Sequence, residues 1–235
     1  MRAYTRLAPV AYVTELRIHQ ADEPIGLWEL TEGEFRSEQP PPFWAFAWAG
    51  GQALARYLLD QPEVVAGRRV LDLASGSGLV AVAAARCGAA SVQAVDIDPC
   101  AVAAIGLNAA ANGTTVHAVR ADILDDEPGD AEVVLAGDVF YSEAMAARML
   151  RYLLRATAAG ARVLVGDPGR AYLPRQRFRQ LATYDVPVPP ALESVSVKTT
   201  TVWELKPPTR APKSPTRQPA TAAGRAADGV GGRDR

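Results

Sequence analysis

The chain has 235 residues and a mass of 24.9 kDa, with 49% apolar and 22% charged side chains, enough to bury one domain's core and carry an appendage. Lys and Arg total 25 against 26 Asp and Glu, a formal charge of −1, so no global basic field is present to hold nucleic acid by its phosphates. Two cysteines and two histidines are too few for a disulfide framework or a structural zinc site, and no apolar run approaches the roughly 18 residues of a membrane span.

Residues 1–60 show no regular alternation of elements. They carry Pro40-Pro41-Pro42, then Phe43, Trp44, Phe46 and Trp48, then an amphipathic stretch from Gln52 to Asp60, and are expected to form an N-terminal extension packed on the rest. From residue 61 to 206 short β-branched runs alternate with Ala- and Leu-rich stretches, the pattern of strands crossing over through helices into a parallel sheet. Strands are expected at Arg69–Leu73, Ser91–Val95, Val116–Arg120, Glu132–Ala136 and Arg162–Val165, with a pair near Thr183–Val188 and Thr199–Leu205. Helices are expected at Leu79–Cys87, Pro99–Asn112 and Glu143–Ala158, closed by Gly88, Gly113 and Gly160, and a basic one around Pro174–Leu181. Residues 207–235 hold five Pro, four Gly and six Ala with Val230 as the one larger aliphatic, which reads as a disordered tail. Its six basic and two acidic residues leave the folded part mildly acidic.

The chemistry concentrates at strand ends. Val70-Leu71-Asp72-Leu73-Ala74-Ser75-Gly76-Ser77-Gly78-Leu79 is an apolar strand entering a small-residue turn and then a helix, whose free N–H groups make a nucleotide-type cradle. The pattern also satisfies a dinucleotide fingerprint, with Asp96 placed to take ribose hydroxyls. Asp72 separates the two readings: inside the strand it would repel a pyrophosphate, yet it suits a cofactor with an ammonium and a sulfonium, S-adenosylmethionine. Asp96 and Asp122, at the ends of the next two strands, are placed for the ribose diol and the adenine amino group, while Asp98 before Pro99 reads as a helix cap. After the fourth strand, Gly137-Asp138-Val139-Phe140-Tyr141 falls beside the cradle if the first and fourth strands are neighbours, so Asp138, Phe140 and Tyr141 are the candidates for acceptor chemistry. Asp167-Pro168-Gly169-Arg170 reads as a turn, with substrate contact by Asp167 or Arg170 left open. Cys87 and Cys100 read as small buried apolar residues.

These blocks give the sequence a family likeness. It resembles the class I, seven-β-strand S-adenosylmethionine-dependent methyltransferases, a Rossmann-like doubly wound α/β fold, mostly parallel with one antiparallel strand. Within them it is most similar to the electron transfer flavoprotein β-subunit lysine methyltransferase group. Pro42 to Leu54, the cradle with Asp96-Ile97-Asp98-Pro99, Gly166 to Arg170 and Thr199-Thr200-Thr201-Val202-Trp203 carry that likeness over roughly residues 10 to 206. Two positions depart from the pattern. The first cradle glycine is Ala74, which suits the turn if its φ is negative, and the usual Trp-Pro-Gly-Gly reads Trp48-Ala49-Gly50-Gly51.

The resemblance implies an S-adenosylmethionine-dependent protein-lysine methyltransferase, with the electron transfer flavoprotein β subunit as the suspected protein partner and neither nucleic acid nor membrane. It puts the cofactor on Trp48, Asp72, Ala74, Ser75, Gly76, Gly78, Asp96, Ile97 and Asp122, the acceptor on Asp138, Phe140 and Tyr141, and implies no metal. The alternative is methylation of a ribosomal protein or a small molecule through the same cofactor site. The N-terminus lacks an Arg- and Ser-rich, acid-poor presequence, so the expected compartment is the cytoplasm.

Overall fold

The computed structural model describes residues 5–21 and 42–207; Pro40, Pro41 and nearly all of the expected tail lie outside the described residues. Seven strands form one sheet: β3 (Arg69–Leu73), β4 (Ser91–Asp96), β5 (His117–Arg120), β6 (Val133–Gly137), β7 (Arg162–Asp167), β8 (Phe178–Pro187) and β9 (Val197–Leu205). Their order is β5-β4-β3-β6-β7-β9-β8, and β9, which runs against both its neighbours, is the one antiparallel strand. β3 and β6 therefore lie side by side, with β4 and β5 stepping away on one flank and β7 on the other. That switch in direction opens a crevice at the C-terminal ends of β3 and β6.

Helices cover both faces, which is why the central strands are apolar on alternate residues in both directions. α1 (Ala49–Asp60), α2 (Leu79–Arg86) and part of α3 (Pro99–Ala111) pack with Val70, Val133, Leu135 and Leu164. α4 (Glu143–Ala158) covers Leu71, Leu73, Val134, Ala136, Val163 and Val165 on the other face. Local capping sets the helix ends. The Asp98 carboxylate accepts from Cys100 N at 2.7 Å before Pro99, Ser142 Oγ accepts from Met145 N, and Gly88, Gly113 and Gly160 follow the helix ends with positive φ.

The described residues ahead of α1 pack on the sheet domain through structure not expected from the sequence. β1 (Thr5–Val10) and β2 (Val13–Ala21) form a hairpin, and Val10, Val13, Leu16 and Ile18 are all fully buried in the main core. Two asparagines of the α3 region hold it: Arg17 N donates to Asn112 Oδ1 at 3.0 Å and His19 N to Asn108 Oδ1 at 2.8 Å.

The basic helix expected around Pro174–Leu181 is not there. A single 3₁₀ turn, Arg175–Arg177, leads into β8, which pairs with β9 along its whole length with a bulge between Gln180 and Ala182. Arg179, Gln180 and Leu181 have good helix propensity, but pairing with β9 and burial of Phe178 and Val186 outweigh it.

Candidate active site

Between β3 and α2 the chain turns through three left-handed residues, Ala74 (φ 49°), Gly76 (φ 55°) and Gly78 (φ 79°). A side chain at Gly78 would stand 3.1 Å from the Ile105 backbone of α3 and would be strained at φ 79°, so both the crowding and the conformation favour glycine there. Ala74 departs from the expectation of a negative φ: an L-residue occupies a conformation that costs about 1–2 kcal/mol.

Carboxylates fix the turn from two sides. Asp96, at the end of β4, accepts from Gly76 N at 2.8 Å through Oδ2 and from Asp98 N at 3.0 Å through Oδ1. Asp72 is buried inside β3, where its Oδ2 accepts from Ser75 Oγ and from Ala81 N. Burial pushes its carboxyl up to about 7, against the lowering effect of those two donors. A third support is Asn108, fully buried on α3, whose Nδ2 donates to Ser77 O at 2.7 Å while its Oδ1 holds the hairpin. Its signal in the sequence is a lone amide inside an Ala-rich helix, where a polar group needs a reason.

A cleft of about 440 Å³ opens over this turn. The expected cofactor residues Trp48, Asp72, Ala74, Ser75, Gly76, Asp96, Ile97 and Asp122 all line it, and Gly78 closes the turn behind them. Ile97 is 59% exposed, an apolar surface on which an adenine ring can lie. Asp122 is less available than expected: both its oxygens accept from Arg148, at 2.9 and 3.1 Å, and Arg148 also holds Asp125. A cradle of backbone N–H groups, an exposed apolar side chain, and carboxylates at two depths fit a cofactor that is part nucleoside and part cationic amino acid. Among the described residues no group of three or more His, Cys, Asp or Glu is arranged to hold a metal ion.

The other end of the cleft is built around Asp138, itself left-handed (φ 59°) and 8% exposed. Gly50 N, in the first turn of α1, donates to its Oδ2 at 2.6 Å, and Arg170 Nε donates to its Oδ1 at 2.7 Å. α1 has no side-chain cap of its own, so this carboxylate from β6 serves as one. The contact requires glycine: a side chain at Gly50 would meet Gly166 O at 2.3 Å, and one at Gly166 would meet Gly50 O at 2.0 Å. Gly50 on the helix, with Gly137 and Gly166 on the strands, thus lets α1 lie directly on the ends of β6 and β7. Burial raises the Asp138 carboxyl, and the Arg170 guanidinium opposes that rise.

From Arg170 the ion pairs continue outward. Its Nη2 donates to Glu193 Oε1 at 2.8 Å, and the Lys198 ammonium sits on Glu193 Oε2. Asp167 accepts from Gly169 N and Arg170 N through Oδ1, its Oδ2 is buried without a partner, and burial pushes its carboxyl up to about 6. Arg170, left open from the sequence, lines the cleft, as does Glu193, which sequence reasoning missed.

Aromatic rings form the wall between the two ends. Trp48 Nε1 donates to Phe43 O at 2.9 Å, and the Phe43 ring lies 6.0 Å from Trp48 and 5.7 Å from Tyr141, which is half exposed in the cleft. Phe140 does not join them. It is fully buried on the far side of the strand end and packs edge-on against Phe178 at 6.0 Å, so it belongs to the core. Past the end of β6 the chain turns at Asp138, and Val139 and Tyr141 take the cleft side while Phe140 takes the other. Cys100, expected to be buried, is exposed, and Cys87 is half-buried with Sγ on Leu58 O.

Comparisons with known proteins bear on the family and the fold. Residues 52–141 match the family described as ribosomal protein L11 methyltransferase (PrmA). The chain is 41% identical over 172 residues to the electron transfer flavoprotein β subunit lysine methyltransferase of Rattus norvegicus, covering 71% of this chain and 68% of that one. With the Caenorhabditis elegans homolog it shares 30% identity over 218 residues, covering 82% and 88%. Among solved structures, the Thermus thermophilus 16S rRNA N2 methyltransferase RsmC superposes with a TM-score of 0.52 at 19% identity, over 86% of this chain and 50% of that one. The Synechocystis magnesium protoporphyrin IX methyltransferase gives 0.50 at 16% identity, over 79% and 98%. These two likenesses carry the fold alone. With the sheet order, the left-handed turn and the identities above, the chain belongs to the electron transfer flavoprotein β-subunit lysine methyltransferase family of class I S-adenosylmethionine-dependent methyltransferases.

Proposed function

We propose that this protein transfers methyl groups from S-adenosylmethionine to lysine side chains of the electron transfer flavoprotein β subunit. The observation that carries the reading is the pairing, in one cleft, of the Asp72–Asp96 cradle with an aromatic and anionic acceptor end. Identity of 41% over 172 residues to a relative named for that substrate supports the choice of acceptor. The ribosomal protein L11 match stops at Tyr141, before the Asp167–Arg170 turn and Glu193, so it speaks for the cofactor half.

When bound, the cofactor supplies an activated methyl group on a sulfonium. The chain's own residues then bind, orient and exclude water. In this reading Asp96 accepts from the ribose hydroxyls, the Gly76–Gly78 turn admits the nucleoside, Ile97 packs on the base, and the buried Asp72 carboxylate faces the cationic end. An attacking lysine must be neutral, although its free pKa lies near about 10.4. The Phe43–Trp48–Tyr141 wall disfavours the ammonium, and the proton leaves to water before attack. Asp138 holds Arg170 and α1 in place and lends negative charge where the ammonium arrives.

The test is incubation of the purified protein with methyl-labelled S-adenosylmethionine and the purified electron transfer flavoprotein β subunit, followed by mass spectrometry. Methylated lysines are expected. Absence of label, in a protein that binds S-adenosylhomocysteine, would overturn the assignment of substrate.

A further inference from the structure

The β8–β9 connection brings a carboxylate to the acceptor end that nothing in the sequence motifs assigns. The short helix α5 (Pro190–Glu193) ends in Glu193, which borders the cleft although its side chain is only 5% exposed. Arg170 reaches both oxygens, Nη2 donating to Oε1 at 2.8 Å and Nη1 more distantly to Oε2 at 3.5 Å, and Oε2 also holds the ammonium of Lys198, reaching over from β9. Lys198 is itself 24% exposed and does not line the cleft, so it approaches from the outer side and can withdraw into water.

An enzyme that accepts lysine thus keeps one of its own lysines on a carboxylate that borders its reaction cleft. Around Arg170 the carboxylates Asp138, Asp167 and Glu193 outnumber the two cations, and Lys198 is the cation least held by the rest. Withdrawing it leaves a desolvated carboxylate fixed in place by Arg170, a ready seat for one alkylammonium ion. An arginine in the position of Lys198 would bind in a bidentate fashion and release poorly; a lysine makes a point contact that another lysine can replace.

We propose that Glu193 is the acceptor-binding carboxylate that receives the ammonium of the incoming lysine, and that Lys198 occupies it as a stand-in until the acceptor arrives. The inference rests on the lysine-methyltransferase reading given above. It also makes a prediction of opposite sign for two partners of one ion pair: Lys198 competes with the acceptor, while Glu193 binds it. A purely structural latch predicts the same sign for both.

Two readouts test it in Lys198→Met and Glu193→Gln, both near-isosteric. In the first, methyl transfer to the electron transfer flavoprotein β subunit is followed against acceptor concentration. Lys198→Met should lower KM at least threefold, and Glu193→Gln should raise it at least tenfold. In the second, n-butylammonium is titrated by NMR into each protein loaded with S-adenosylhomocysteine, a measurement that needs no turnover. Binding should tighten in Lys198→Met and disappear in Glu193→Gln. KM rising in both variants, or n-butylammonium binding equally to all three proteins, overturns the proposal; if Glu193→Gln does not fold, an unchanged or raised KM in Lys198→Met overturns it alone. If the amine titration follows the expected pattern while the wild type methylates no lysine of the flavoprotein subunit, the acceptor seat stands and the assigned substrate falls.

Discussion

Replacing Ala74 with glycine should make the protein more stable, although it deletes atoms. Ala74 stands at φ 49°, where an L-residue brings Cβ against the neighbouring carbonyl at a cost of about 1–2 kcal/mol. Glycine removes that cost but adds backbone entropy to the unfolded chain, an offset of about 0.4–1 kcal/mol. The net gain is therefore about 0.5–1 kcal/mol, which for a folded part of this size raises Tm by roughly 1–4 °C. The residue is exposed to the cleft, so no core packing is lost. Since the turn already has the conformation a glycine would take, the Kd for S-adenosylhomocysteine should change by no more than about threefold, or about 0.7 kcal/mol. Differential scanning calorimetry beside isothermal titration measures both quantities, and Ala74→Val serves as the control: a β-branched side chain at this φ should cost about 2 kcal/mol or more. A glycine variant that melts at or below the wild-type temperature would refute the left-handed assignment and the strain argued from it.

Four other outcomes follow from the site. Asp96→Ala should weaken cofactor binding by about 1.5–3 kcal/mol, because a charge-assisted acceptor is lost, and calorimetry showing unchanged affinity would remove Asp96 from the cradle. Gly50→Ala should destabilise the fold by about 2–4 kcal/mol, since its new carbon would meet Gly166 O at 2.3 Å; a wild-type melt would mean that α1 does not lie on the strand ends as described. Asp72, with its folded pKa near 7 against an ordinary value of 3.8, is protonated on folding between those values, so its contribution to cofactor-free stability grows as pH falls through 7. A cationic cofactor needs the ionised form, so affinity should rise with pH across about 7 and flatten above it, and Asp72→Asn should abolish that slope; a wild-type slope surviving in Asp72→Asn would assign it elsewhere. Asp138→Ala strips a buried partner from Arg170 and from Gly50 N, and should cost about 3–5 kcal/mol of stability along with most of the turnover, while Asp138→Asn keeps an oxygen for Gly50 N and should recover part of the stability but little of the rate. Wild-type turnover per folded molecule in Asp138→Asn would leave Asp138 a helix cap and no more.

What the sequence made legible was local. The cradle is contiguous, Asp72 to Leu79, and its glycines and carboxylate announce a chemistry by themselves; Asp96 and Asp98 follow the next strand at a spacing set by one crossover. Most strands of the parallel sheet were readable for the same reason, as short apolar runs, with glycine-closed helices after β3, β4 and β6. The hairpin was harder, because its turn at Ala11-Tyr12 has no glycine, asparagine or proline, and only Leu16 and Ile18 hint at alternation. The first half of β8 differs from the expected helix, while its second half matches the strand expected near Thr183–Val188, because a segment such as Arg177-Phe178-Arg179-Gln180-Leu181 becomes a strand only once β9, which lies downstream, is beside it. Ala74 failed in another way: its identity argued for negative φ, and the surrounding turn overrode it.

The acceptor end illustrates the general reason for such misses. Asp138, Arg170, Glu193 and Lys198 come from four separate segments, and neighbours in this chain of ion pairs are 32, 23 and 5 residues apart in sequence. No spacing rule links them; the antiparallel return of β9 does, by carrying Lys198 and the α5 connection back to the end of β7. The cofactor half reuses one βαβ unit, whose geometry a short motif can encode. The Arg170–Glu193–Lys198 part of the acceptor end is assembled from the last strands of the sheet and the β8–β9 connection. The two ends of the cleft thus draw mainly on different parts of the chain, joined by the Phe43–Trp48–Tyr141 wall. That is why the motif up to Tyr141 reads as a methyltransferase in the sequence, while the ion pairs from Asp138 through Arg170 and Glu193 to Lys198 emerge only in the fold.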